Sequence, residues 1–344
     1  MLKFEIFTLI GFENYGNKLQ NYALSEILKK FFGICETYLP QSRINCEAHK
    51  AFNALLKRKF IYYIKRTSIF VKFSVKNIPS KIYNRKKEKP TIDYIICGSD
   101  QIWNPFVVKE ESFGTFAPPE KRISFSASFG VSEIPESKKE FYKKHLNEMK
   151  AISVREQAGV EIVKELTGRD ATLLVDPTMM LSKEEWQKVS KKPKFSVPEK
   201  YIFTYFLGNV TDEMREFIDK VAKENDMQII NLEAKEPNNY WYRSGPSEFV
   251  WLIEHASIVL TDSFHGSVFS IINEAPFVVF DRVENIECMN SRIDTLLSTL
   301  KLEDRRFDKI DMNKLFEKEY SHVPEILERE KKKAIEFLKN AMEI

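Results

Sequence analysis

Short apolar runs alternate with helix-like segments along almost the whole 344-residue chain, and most of the runs end in a polar or glycine-bearing signature. No other feature constrains the fold as much. In the first half, residues 4–9, 34–38, 94–97, 122–127, 151–154 and 172–175 read as strands. Helical patterns occupy 17–31, 137–149 and a stretch ending at 166. In the second half, strands at 201–206, 228–232, 257–260 and 277–280 alternate with helices at 212–224, 247–255 and 266–273, and 324–344 reads as a long charged helix. Strands joined by helices imply parallel sheets covered on both faces. The chain is also longer than one core supports. The expected fold is therefore α/β: two doubly wound Rossmann-like domains facing across a cleft. The expected divisions are 1–190, with a basic insert at about 41–90, then 191–310, then C-terminal helices at 311–344. The stretch KKPKFSVPEK, residues 191–200, reads as the linker because it holds two prolines and four lysines.

In open α/β sheets, ligands bind beyond the carboxyl ends of the strands, where helix N-termini present N–H groups. The polar signatures after the strands are thus the candidate site. In TDSFHGSVFSI, residues 261–271, His265 lies in a strand-to-helix turn. An imidazole, with its ordinary pKa of about 6.5, is a catalytic candidate there; the competing reading is a core histidine satisfied by backbone groups. Asp262 reads as a cap or as the partner that fixes the imidazole tautomer. In GFENYGNKLQNYAL, residues 11–24, the spacing is not that of a dinucleotide fingerprint and no GK[ST] follows. Asn14, Asn17 and Gln20 are binding candidates in that segment, against a plain tight turn capped by Asn17. CGSDQIWNP, residues 97–105, gathers Ser99, Asp100, Gln101 and Asn104 around Trp103. An aromatic face among hydrogen-bonding groups suits a sugar, and Asp100 could act as a base. The alternative is a capping Asp and a Trp buried at the domain interface. In SVREQAG, residues 153–159, Arg155 follows a strand and could recognise a carboxylate or phosphate, or else form a structural ion pair with Glu156 or Asp176.

The four cysteines show no CxxC pair and the five histidines no metal-ligand spacing, so neither a disulfide framework nor a bound metal is expected. No apolar run approaches 20 residues and the N-terminus lacks signal-peptide features, so the expected location is the cytoplasm. A net charge of +3 conceals an asymmetry. Residues 57–89 carry twelve Lys or Arg against Glu88 alone, while the remainder holds 41 basic and 49 acidic residues. Phe60, Tyr62, Tyr63, Ile64, Phe70, Phe73 and Tyr83 are interleaved with those cations. A nucleic-acid partner is not expected, because no nucleic-acid-binding module is present. The segment reads either as a solvated helical insert or as a peripheral contact with anionic lipid headgroups, which would hold the protein at the inner face of the membrane.

Taken in order, GNKLQNYAL, CGSDQIWNP, SFSASFG, SVREQAG, DPT, TDSFHGSVFSI and SRIDTLL, spread over residues 16–297, resemble the polysaccharide pyruvyl transferase family. The resemblance implies a fold like the GT-B glycosyltransferases and transfer of pyruvate from phosphoenolpyruvate to saccharide hydroxyls, giving a pyruvate ketal. Phosphoenolpyruvate is then a donor substrate, and no cofactor is implied. His265 matches the family's catalytic histidine and Arg155 a donor-binding arginine, with Asp100 as a second catalytic candidate. Where the family carries arginine two residues before the histidine, this chain has Ser263. Arg292, Arg243 and Arg282 are the candidates for that cation. The expected donor set is Arg155, Ser263, Gly266 and Arg292. The expected acceptor set is Asn14, Asn17, Gln20, Ser99, Gln101, Trp103 and Asn104, meeting a saccharide or lipid-linked glycan. Two other readings are a GT-B glycosyltransferase using a nucleotide sugar and a catalytically silent glycan-binding relative.

Overall fold

A computed structural model describes residues 1–11, 14–40, 60–83, 91–232, 240–283 and 290–344. Cys46, His49, Cys288 and the basic residues Lys57, Arg58, Lys59, Arg85, Lys86, Lys87 and Lys89 lie outside the described residues. The chain divides into two units, one of residues 1–52, 74–181 and 325–344, the other of residues 53–73 and 182–324.

The first unit is built on β1 (Leu2–Phe7), α1 (Tyr15–Phe31), β2 (Gly33–Pro40), the end of α2 (Phe60–Asn77), β3 (Ser80–Tyr83), β4 (Tyr94–Asp100), β5 (Arg122–Ala127), α3 (Lys139–Asn147), β6 (Ser153–Val154), α4 (Gln157–Thr167) and β7 (Thr172–Leu173). Its seven strands pair in parallel in the order β3-β2-β1-β4-β5-β6-β7. β5 is buried along its whole length, as a central parallel strand covered on both faces must be. The order reverses between β1 and β4, which makes that gap the topological switch point. The helix α1 begins beside it. Asn14 is its N-cap, its side chain accepting from Asn17 N at 3.0 Å, while Lys29 and Lys30 sit in the last turn against the negative end of the helix dipole.

The second unit runs through α5 (Lys183–Gln187), β8 (Tyr201–Tyr205), α6 (Asp212–Glu224), β9 (Gln228–Asn231), α7 (Pro246–Glu254), β10 (Ile258–Thr261), α8 (Phe264–Ile272), β11 (Phe277–Val279) and α9 (Ser291–Leu300). Four parallel strands lie in the order β11-β10-β8-β9, with the reversal between β8 and β10. Caps set the starts of its helices. Ser182 and Glu185 form a capping box on α5, and Thr211 caps α6, with Asp212 and Glu213 in its first turn.

Three expectations about organisation change. The basic stretch at 41–90 is no bare insert, because it contains α2 and the edge strand β3, paired to β2 from Thr37 to Pro40. The stretch 191–200 lies within the second unit, where Phe195 is buried and its ring sits 4.8 Å from that of Tyr240. Finally, α10 (Val323–Met342) is not grouped with residues 311–322, for residues 325–344 belong to the first unit, where Met342 O accepts from the Tyr94 hydroxyl at 3.1 Å.

Candidate functional site

At the switch point of the first unit, β4 ends in Gly98, Ser99 and Asp100, and the polar groups there hold one another. Asp100 has a φ of 75°, a left-handed backbone that costs a residue with a side chain about 1–3 kcal/mol and that Asp tolerates better than most. Its Oδ1 accepts from Gln101 N at 2.8 Å and its Oδ2 from the Asn17 amide, so α1 and β4 fix both oxygens. Beneath it, Gln20 Nε2 donates to Thr8 Oγ1 at 2.8 Å, Thr8 Oγ1 donates to Ser99 O at 2.9 Å, and Ser99 N donates to Gln20 Oε1 at 3.1 Å. These bonds tie the ends of β1 and β4 to α1.

Arg155, after β6, supplies the charge in this cluster. Its fully buried side chain pairs with Asp176 at 2.6 Å and lies 3.9 Å from Asp100 Oδ1. Burial works to lower its pKa, and the facing carboxylates of Asp176, Asp100 and Glu156 outweigh that, holding the guanidinium above its ordinary value. Asp176 is itself fixed by Ser99 Oγ at 2.8 Å and by Thr178 N and Oγ1 at 3.0 and 2.7 Å. The Glu156 carboxylate accepts from Ser128 Oγ, Phe129 N and Gly130 N at 3.0, 2.7 and 3.2 Å. Of the two readings of Arg155, a ligand anion or an ion pair with Glu156 or Asp176, the structure shows the ion pair, with Asp176, because burial demands a counter-charge at hand.

Several other expected acceptor residues also turn out to be supports. Trp103 offers no ring face to a sugar: it is fully buried within the first unit, stacked 5.3 Å from Phe113 and tilted against Phe129 at 5.2 Å, with Nε1 donating to Ser112 O at 3.1 Å. Its indole gains more from this aromatic cluster than solvent could return. Gln20 and Ser99 are fully buried, Gln20 bonded to Thr8, Asn17 O and Ser99 N, and Ser99 Oγ to Asp176. Asn104 Oδ1 accepts from Phe106 N at 3.0 Å and shapes the loop. Asn14 caps α1, where Asn17 was the expected cap. Gln101 and Asn14 keep partial exposure at the strand ends, and the Asp100 side chain keeps a little. Cys35 is no nucleophile, since burial pushes its thiol up to about 12.

In the second unit the switch point is braced mainly by backbone amides. Asp262, just past β10, accepts from Leu207 N and Gly208 N, both at 2.7 Å, and so joins the ends of β8 and β10. Arg282, after β11, places its Nε 3.7 Å from Asp262 Oδ2 and its Nη2 3.5 Å from Asp262 O. Ser263 is the N-cap of α8, and its hydroxyl accepts from Gly266 N at 3.3 Å. That bond occupies the Gly266 N–H expected to face the donor. Gly266 is required for another reason: a Cβ there would stand 2.6 Å from Thr261 Oγ1, so only glycine lets the helix start this close to β10. His265, expected in the strand-to-helix turn, is the second residue of α8, and it is mostly buried against Phe264 at 5.3 Å between ring centroids. Arg292 is buried in the first turn of α9, and the Arg243 guanidinium lies 5.2 Å over the Phe195 ring.

Each unit therefore brings together residues far apart in sequence at its own switch point. Asp176, Thr8 and Glu156 were not in the expected donor, acceptor or catalytic sets, though Asp176 and Glu156 were named as ion-pair partners for Arg155. Nothing local singles out Thr8, whose role depends on Gln20 folding back from α1. Among the described residues no group of three or more His, Cys, Asp or Glu could hold a metal ion, and no helix is long and apolar enough to cross a membrane.

Comparison with known proteins agrees with this architecture. The profile of the polysaccharide pyruvyl transferase family matches residues 14–284, most of the chain. No curated protein matches the sequence. Among solved structures, the UDP-GlcNAc 2-epimerase from Methanocaldococcus jannaschii is 10% identical, with 95% of this chain and 92% of that one covered and a TM-score of 0.50. The UDP-GlcNAc 2-epimerase from Rickettsia bellii is 12% identical, with 100% and 97% covered and a TM-score of 0.46. The enzyme of that name from Neisseria meningitidis, bound to UDP-GlcNAc, is 10% identical, with 99% and 100% covered and a TM-score of 0.46. The likeness to the Methanocaldococcus jannaschii enzyme, at 10% identity, speaks for fold alone: an α/β chain of two Rossmann-like units of the GT-B kind.

Proposed function

The chain belongs to the polysaccharide pyruvyl transferase family, and from that membership we propose that it moves pyruvate from phosphoenolpyruvate to two hydroxyls of a saccharide, leaving a pyruvate ketal on a cell-surface polysaccharide precursor. The observation that carries this reading is His265, held in the first turn of α8 at a strand-end switch point whose neighbouring Asp262 is paired with Arg282. An imidazole and a guanidinium at the ends of the adjacent strands β10 and β11 suit a donor that bears both a phosphate and a carboxylate.

In this reading the donor is handled by the second unit and the acceptor by the first. One sugar hydroxyl adds to C2 of the enol, C3 takes up a proton to become a methyl group, the C2–O bond to phosphate breaks, and a second hydroxyl closes the ketal. Two hydroxyl protons leave; one balances the methyl and the other departs with phosphate. His265 protonates the leaving phosphate oxygen, and Asp100 receives a hydroxyl proton, aimed by Asn17 and Gln101 N. Arg155 is a positioning residue that holds the Asp100 and Asp176 carboxylates in place. Ser263 has spent its hydroxyl on the helix cap, so the cation of this edge is Arg282, anchored by Asp262. Phosphoenolpyruvate is a substrate here, and the acceptor is a free or lipid-linked glycan.

The test incubates the full chain with phosphoenolpyruvate and a panel of nitrophenyl and lipid-linked glycosides, following phosphate release and the mass of the product. The expected result is a ketal adduct, with His265→Ala lowering turnover by about 10²–10⁴-fold at an unchanged melting temperature. Stabilisation by nucleotide sugars and not by phosphoenolpyruvate would replace this reading with glycosyl transfer. Binding of glycans without turnover would replace it with a catalytically silent relative.

A further inference from the structure

The basic stretch has two distinct sides on α2. At 3.6 residues per turn, Arg66, Phe70 and Phe73 fall on one side, and all three are buried. Arg66 is thereby withdrawn from the surface charge: its Nη1 donates to Ser244 O at 3.1 Å and its guanidinium lies 4.5 Å over the Phe70 ring. About 100° round the helix from that side, Lys65, Lys72 and Lys76 form a single exposed stripe. About a quarter-turn away lie Ile64 and Val75, which are 44% and 79% exposed. The helix lies within residues 57–89, which carry twelve basic residues against one acidic one in a protein whose remainder is net negative.

We infer that this outer face of α2 docks the protein peripherally on an anionic lipid bilayer. Charge complementarity selects a polyanion, and the exposed aliphatic side chains decide which one. A nucleic-acid backbone would engage the lysines and leave Ile64 and Val75 in water. A bilayer interface takes both, since the aliphatic groups enter the acyl boundary while the lysines reach the headgroups on their flexible stems. The inference is independent of the catalytic reading and needs no spanning helix.

Co-sedimentation of the full chain with vesicles of phosphatidylglycerol and phosphatidylcholine, against vesicles of phosphatidylcholine alone, tests it. The expected result is binding to the anionic vesicles only, weakened by added salt. Each lysine near such a surface contributes about fivefold, so Lys65→Ser, Lys72→Ser and Lys76→Ser together should weaken binding by about 100-fold. Val75→Ser alone should weaken it less, with no change in affinity for RNA. Equal, negligible sedimentation of the unaltered protein with both vesicles would overturn the inference without reliance on any variant. So would full binding by the folded triple variant, or retention of RNA in a gel without any binding to vesicles.

Discussion

The two switch points follow one plan and are braced by different means. Each sets a carboxylate at the end of the strand across the reversal, Asp100 at the end of β4 and Asp262 just past β10. In the first unit side chains do the bracing: Asn17 holds Asp100, and a buried Arg155–Asp176 pair with its Ser99 and Thr178 donors supports it from below. In the second unit two backbone amides hold Asp262, and Arg282 lies against it at 3.7 Å. A network of side chains fixes its groups by mutual dependence, so removal of one strands the others. Backbone amides belong to the fold and survive the loss of the carboxylate they serve. The first unit therefore couples the placement of its carboxylate to stability, while the second keeps the two apart.

The sharpest way to break that contrast is Asp176→Ala. It leaves the Arg155 guanidinium fully buried without its hydrogen-bonded partner, with Asp100 and Glu156 as the remaining facing carboxylates, and loss of one partner of a buried pair costs roughly 3–5 kcal/mol. Urea unfolding should show a loss of that order, and acceptor affinity should fall with it as Asp100 loses its support. Asp262→Ala comes next. It deprives Leu207 N and Gly208 N of their acceptor, but Leu207 is 42% exposed, so water can take its place and the cost should fall at the low end of roughly 1–3 kcal/mol. The same variant frees Arg282 from its anchor, so KM for the donor should rise by more than stability falls. Equal losses of stability in the two variants would erase the distinction between the units.

Much of the fold was legible because a parallel strand buried on both faces must be a continuous apolar run, and the runs at 122–127 and 201–206 coincide with β5 and β8 to within a residue. The strand β3 escaped notice since SKIY is short and lies at the sheet edge, where its lysine and isoleucine are exposed. The site was legible in its parts and in few of its connections. His265 and Asp100 stood out by their place after strands and the Arg155–Asp176 pair was one of two readings, but Asn17 meets Asp100 across 83 positions, and only topology brings these together. Trp103 misled for a related reason. Polar neighbours on both sides look the same whether the ring faces solvent or turns under the loop, and Phe113 and Phe129, which decide it, lie outside the motif.

The smallest expected effect bears on that aromatic floor. His145 is buried in the first unit, its ring 5.1 Å from Phe113 and 4.6 Å from Phe141, so it shares the cluster on which Trp103 and the 97–105 loop rest. Burial lowers its pKa below the ordinary imidazole value, Glu148 and Glu110 at 4.0 Å oppose the shift, and Lys144 and Arg122 add to it. At pH above about 6.5 the ring is neutral in both the folded and the unfolded chain, and its contribution to stability is fully present. As the pH drops below that value the unfolded chain takes up a proton that the folded protein refuses, so stability falls until the lower folded pKa is passed. Melting followed by tryptophan fluorescence from pH 8 to 5 should therefore show a loss that His145→Phe removes, since phenylalanine keeps the ring packing without the titration. A loss of the same size in both proteins would show that the acid sensitivity lies elsewhere, and the first unit would owe its fragility to the Arg155 network alone.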